Sequence, residues 1–135
     1  MTELDQLIAA AFTSEGKQED VNKVYLALLR SPLFVPVEKI IDETADFKPL
    51  FAKIEENYFM FVFDDLERLT AWAGEEMAQM DYVELKGMEV VFGINDEVFL
   101  CLNAGAEFYK EFAPDEVKRL KMVASKIEQM RGLNS

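Results

Sequence analysis

Five consecutive apolar residues, Val98-Phe99-Leu100-Cys101-Leu102, lie between the turn pair Asn95-Asp96 and the triplet Asn103-Ala104-Gly105. A run this short has strand length, and without polar residues in alternate places it is too continuously apolar for a surface strand. It predicts a central strand, hence a sheet with neighbours on either side. Half of the residues are hydrophobic, so the chain can bury a core and is not disordered. A length of 135 residues bounds it to one domain.

The N-terminal periodicity is helical. Leu4, Leu7, Ile8, Ala11 and Phe12 share one face, Thr2 is the expected N-cap, and Glu3 and Asp5 bring carboxylates to the first turn, where the helix dipole favours them. Gly16 interrupts the pattern, which resumes at Val21, Val24, Tyr25, Leu28 and Leu29 until Pro32 biases Ser31 out of the helical region. Residues 33–37 read as an edge strand, or the end of one, because Pro36 lacks a donor. Residues 38–46 read as an acidic loop or short helical turn. Residues 47–55 and 58–63 read as a tight antiparallel hairpin about Glu56-Asn57.

Asp64, three residues before Glu67, predicts a capping pair for a helix whose apolar side is Leu66, Leu69, Trp72, Ala73 and Met77. Residues 82–85 alternate as a strand, whereas 88–94 suit either a strand or a buried helical turn. Beyond the central strand, residues 106–112 predict another. Pro114 at the first helical position, Asp115 and Glu116 in the first turn and Gly132 at the end bracket a last helix, with Val117, Leu120, Val123, Ala124 and Ile127 facing inward. The sum is an α+β fold: one domain over 1–135, with a mixed, largely antiparallel sheet and helices packed mainly on one face. It divides into a helical pair (1–31), a sheet with an inserted helix (33–112) and a C-terminal helix (114–131).

Fourteen basic against 26 acidic side chains give a net charge of −12. Such a surface repels phosphate backbones and anionic lipid, so nucleic acid and membrane are not expected partners. The densest basic stretch, Lys118, Arg119, Lys121, Lys126 and Arg131, is accounted for by cations matching the dipole of the last helix. No apolar run, 58–63 included, exceeds six residues, far short of the ~20 of a membrane-spanning helix, and no export signal is visible. A single cysteine, Cys101, makes no intramolecular disulfide and points to a reducing cytoplasm.

The chain has no histidine, which excludes Ser-His-Asp and Cys-His mechanisms and histidine-ligated zinc. Cys101 in its apolar run reads as a buried, inert thiol. The carboxylate pairs Asp42-Glu43, Glu55-Glu56, Asp64-Asp65, Glu75-Glu76 and Asp96-Glu97 point apart on a strand or helix, which suits solvated edges better than a hydrolytic or metal centre. No glycine-rich phosphate loop is present. No catalytic residue, metal or cofactor is expected. The candidate partner-binding residues are Asn103, Ala104 and Gly105, whose turn can offer backbone groups to a ligand, and Trp72, because large aromatics anchor interfaces. Each has a plainer account as well: chain reversal for the turn and core packing for the tryptophan.

An ordered series of short pieces carries a family resemblance. Tyr25, Leu28 and Leu29 precede Phe34-Val35-Pro36. Then come Phe63 with Leu66-Glu67-Arg68-Leu69 and Trp72, followed by Tyr82, Gly87, Asn103, Gly105, Pro114 and Glu116. In these the chain resembles the SseB N-terminal domain family of bacteria, from the second helix to the start of the last. It departs from the family in reading Asn103-Ala104-Gly105 where Asn-Pro-Gly is usual. The resemblance implies no catalytic residues.

The leading functional expectation is a non-enzymatic cytoplasmic domain that binds another protein in a regulatory or accessory role. A second is an acidic inhibitor or immunity-type protein that neutralises a basic partner such as a nuclease toxin, its carboxylates steering association. A third is an enzyme using carboxylates, with or without a divalent metal. A homodimer is compatible with each.

Overall fold

A computed structural model describes residues 2–40 and 46–134. Helices α1 (Glu3–Thr13) and α2 (Gln18–Arg30) lead into β1 (Pro32–Glu38). The hairpin β2 (Phe51–Ile54) and β3 (Asn57–Val62) follows, then α3 (Leu66–Ala73), a 3₁₀ segment (Gly74–Gln79) and β4 (Met80–Lys86). The chain ends with α4 (Gly87–Gly93), β5 (Phe99–Leu102), β6 (Lys110–Phe112) and α5 (Pro114–Asn134). This is an α+β fold with mixed strand directions.

Strand order is β2-β3-β5-β6 in one sheet, with β3 and β5 parallel and the other neighbours antiparallel. The run that predicted a central strand supplies β5, bonded on both edges. A second ladder pairs β1 with β4 along the whole length of both. The two ladders join where Phe34 and Phe63 exchange N–H···O bonds of 2.7 and 3.0 Å.

Alternation along the strands sends Leu33, Val35, Val37, Met60, Val62, Leu100 and Leu102 to one face. There they meet Val24, Ala27 and Leu28 of α2, Val90 and Val91 of α4, and Val117, Leu120 and Ala124 of α5. The opposite face carries Phe61 and Cys101, and α3 lies against it through Trp72, whose ring centroid is 4.9 Å from that of Phe61 and 5.3 Å from that of Phe63. Most helices thus cover one face, and the short α3 covers part of the other.

Several local expectations are corrected. Phe12 does not join the core: it is 68% exposed at the end of α1. The strand with Pro36 is not an edge, because β4 lines one side of it while Phe63 and residues 48–50 bond to the other. Pro36 is tolerated because its carbonyl, accepting from Leu50 N–H at 3.0 Å, is the group used there. The hairpin turns at Glu55-Glu56, one residue earlier than expected, with Glu55 at positive φ (59°) and Asn57 opening β3. The cap of α3 is Asp65, whose carboxylate accepts from Glu67 N–H at 2.7 Å; Asp64 has other partners.

The ambiguous stretch 88–94 is helical up to Gly93, with Ile94 its extended cap, and of 106–112 only Lys110–Phe112 is strand. The last helix runs through Gly132 to Asn134. The middle of the expected 38–46 loop, including Asp42-Glu43, lies outside the described residues.

Gly87 shows how closely the helices meet. It begins α4 against the end of α2, its N–H donating to Ser31 O at 2.9 Å. A Cβ built on it would fall 1.8 Å from the Leu28 carbonyl oxygen. Gly93, at the other end of the same helix, has nothing within 4 Å of such a Cβ. Gly87→Ala is therefore expected to cost about 3 kcal/mol or more in urea unfolding, the upper range for overpacking, since backbone and not a flexible side chain must move. Gly93→Ala in the same helix should be neutral or slightly stabilising.

Candidate functional site

A cluster of hydrogen-bonded polar side chains lies at the C-terminal ends of the parallel pair β3 and β5. There the chain passes from β3 through Phe63-Asp64 into α3, and from β5 into the turn at Asn103. In open sheets with parallel strands, this end is where ligands characteristically bind.

Asn103 holds the two strand ends together. It is fully buried at positive φ (59°), a conformation that asparagine tolerates better than most residues. Its N–H donates to Val62 O at 2.9 Å, its Oδ1 accepts from Asp64 N–H at 3.0 Å, and its carbonyl accepts from Ala106 N–H at 3.0 Å. Nδ2 alone has no partner among the described residues. The residue expected to expose backbone groups is thus a buried brace, and the following Ala104, Gly105 and Ala106 form the accessible part of the turn.

Asp64, freed from capping, accepts from the Thr2 hydroxyl at 2.7 Å and from Arg68 Nη1 at 3.0 Å. The same guanidinium donates to Asp5 through Nη1 at 2.8 Å and through Nη2. Asp5 also closes the capping box of α1, taking the Thr2 N–H at 3.0 Å while its own N–H donates to Thr2 Oγ1 at 3.1 Å. Two buried carboxylates therefore share one cation, tying the start of α1 to the start of α3. The Arg68 hydrogen bond holds the Asp5 carboxyl below the usual carboxylate range; burial opposes this and the Thr2 bonds assist it. The two carboxylates raise the Arg68 pKa in turn, Asp5 foremost.

A cleft of about 220 Å³ opens beside this network, lined by Arg68, Ala71 and Trp72 from α3 and by Ala104, Gly105 and Ala106 from the turn. The fold thus gathers three of the four candidate binding residues, Trp72, Ala104 and Gly105, in one concavity, with Asn103 behind them. Sequence reasoning missed Arg68 and Asp5. The i,i+4 spacing of Asp64 and Arg68 was a visible signal; Asp5, 63 positions from Arg68, gave none.

The model of the SseB protein N-terminal domain matches residues 4–119. The chain belongs to that family. No curated protein and no solved structure matches it. In this SseB N-terminal domain the matched stretch takes in α1, the strand ends, Trp72 and the cleft, and it stops within the first turns of α5.

Elsewhere in the domain the titratable groups are built into packing. Burial pushes the Cys101 thiol up, Tyr109 acts against that shift, and Glu111 adds to it. The Tyr109 hydroxyl donates to Glu111 Oε2 at 2.8 Å and lies 3.6 Å from Cys101 Sγ. Tyr25 donates to Glu116 at 3.0 Å, and burial together with that carboxylate raises its pKa to about 12. Among the described residues, no group of three or more acidic or cysteine side chains is placed to hold a metal ion, and no helix is long and apolar enough to cross a membrane.

The ion network sets a pH test. A carboxyl whose folded pKa lies below its unfolded value of ~3.9 adds stability above that pH, and the contribution is lost as pH falls through the folded value. Arg68→Met removes the shared cation and leaves Asp5 and Asp64 buried without it. A loss of about 3 kcal/mol at pH 7 is expected, the low end for breaking a buried pair because the Arg68 side chain is 25% exposed. The deficit should shrink towards pH 4, since Asp5, buried without its cation, takes up a proton more readily in the folded state. Urea titrations of both proteins at the two pH values measure it, and a deficit independent of pH would contradict the network's role.

Proposed function

We propose that this domain is a non-enzymatic, cytoplasmic protein-binding module with a regulatory or accessory role, and that its partner docks in the cleft between α3 and the 103–106 turn. The observation that carries the reading is the meeting of Trp72 with Ala104 and Gly105 in one concavity, away from the main core. Tryptophan is the residue type most enriched in interface hot spots, and a rigid turn opposite it gives a partner a fixed wall to pack against. Asn103 and the Arg68 network hold both walls in position, so little ordering would be needed on binding.

The absence of histidine from the chain and the raised pKa of its one thiol support a binding role over catalysis. The single cysteine supports a reducing compartment.

Ala71 is exposed on α3 and lines the cleft. Ala71→Tyr is expected to fill the cleft at a folding cost of only about 0.5 kcal/mol, the difference in helix propensity. Immobilised wild-type domain should retain a partner from lysate of its own host that the variant, with an unchanged melting profile, does not. Equal retention by both proteins would sink the cleft as the docking surface. Sedimentation equilibrium of the two proteins covers the case in which the partner is a second copy.

A further inference from the structure

We propose that the Trp72 cleft receives a basic side chain, arginine or lysine, from the protein partner, taking that cleft to be the docking surface proposed above. Size comes first. A volume of about 220 Å³ falls below the ~300–1,000 Å³ of sites for drug-sized ligands and cofactors. It suits one long side chain better than a small-molecule substrate.

Lining chemistry narrows the choice. Apart from Arg68 and Trp72, the walls are Ala71, Ala104, Gly105 and Ala106. These small residues leave a slot for an aliphatic stem, which arginine and lysine possess and bury readily while their charged heads stay solvated. Trp72 is seated on Phe61 and Phe63, which fixes the plane of its ring. Indole is the strongest cation–π acceptor among the side chains.

Charge decides between a cation and an anion. Residues 64–79, which form the helical wall and its continuation, hold five carboxylates and Arg68 as their one cation. Residues 103–112, which form the other wall and its continuation, hold Glu107 and Glu111 against Lys110. Both cations are already committed: Arg68 to Asp5 and Asp64, and Lys110 to Glu116 at 3.1 Å. An incoming anion would compete with buried carboxylates for a guanidinium already doubly bonded. An incoming cation meets an Arg68 already neutralised by two carboxylates, on a chain of net −12.

Trp72 is the only tryptophan in the chain, so intrinsic fluorescence reports on the cleft directly. The probes are the tripeptide amide acetyl-Ala-Arg-Ala, its uncharged citrulline isostere and acetyl-Ala-Glu-Ala. The arginine peptide is expected to change the emission saturably, with affinity about tenfold above that of the citrulline peptide. Its binding should weaken at about 0.5 M salt and vanish in Ala71→Tyr. Equal binding of the citrulline peptide, tighter binding of the glutamate peptide, or no emission change with any of the three overturns the cationic occupant.

A captured partner separates this outcome from failure of the cleft itself. If its capture needs an open cleft but persists after its contacting arginines and lysines are changed to glutamine, the cationic occupant is wrong and the docking surface stands. If its capture ignores Ala71→Tyr, while the peptides still discriminate by charge, the docking surface is wrong and the cation slot stands.

Discussion

Two buried carboxylates from distant parts of the chain meet one guanidinium, and the geometry of this end of the molecule follows from their need to be neutralised. Withdrawing a carboxylate from water costs several kcal/mol unless its charge and lone pairs are met. Asp5 and Asp64 meet that requirement together through Arg68 and Thr2. Once Arg68 is so held, α3 cannot slide along the sheet without leaving a charge unpaired. The start of α1 is fixed as well, because Asp5 belongs both to its capping box and to the ion network. Such a network adds little to net stability, because desolvation offsets much of the Coulombic gain, yet removing one member leaves an uncompensated buried charge.

The arrangement has a consequence for the cleft. Trp72 lies one helical turn beyond Arg68 on α3, so the ion network that sets the start of the helix also sets the ring. The opposite wall follows Asn103, whose side-chain oxygen bonds Asp64 N–H and whose own N–H bonds Val62. Both walls therefore refer to the same point, the exit of β3. A cleft built in this way is held in one conformation, which would lower the entropy lost on binding the proposed partner.

The main core acts as a foundation for this surface. Its leucines and valines lie on the far side of the sheet, under α2, α4 and α5, and the Gly87 contact shows how little slack remains there. Tight packing of this kind makes the sheet a rigid plate, so the partly covered face can carry a groove without collapsing. A net charge of −12 attracts basic surfaces and repels acidic ones at longer range.

Much of this was legible in the residues taken in order. The apolar run before Asn103 gave the central strand, the spacing of Leu4 and Ile8 and of Val24 and Leu28 gave the first two helices, and Pro114 with its acidic first turn gave the last. These are local effects, in which a side chain's neighbours along the chain decide its backbone state. The ordered short pieces also carried the family. Where the sequence misled, distant contacts had overridden local preference. Asp64 had the spacing of a cap but was taken by Thr2 and Arg68, leaving the cap to Asp65. Pro36 suggested an edge, yet its carbonyl was the group needed.

The meeting of Trp72 with the Ala104-Gly105 turn, and of Asp5 with Arg68, was beyond reach in one dimension. The first depends on the parallel pairing of β3 with β5 and the second on where α1 settles beside α3, and no local pattern encodes either neighbour. The sequence by itself determined most of the elements, the acidity and the absence of histidine chemistry. Tertiary structure alone decided that one tryptophan, a turn of small residues and a neutralised arginine share a cleft, because only packing brings them to the same strand end.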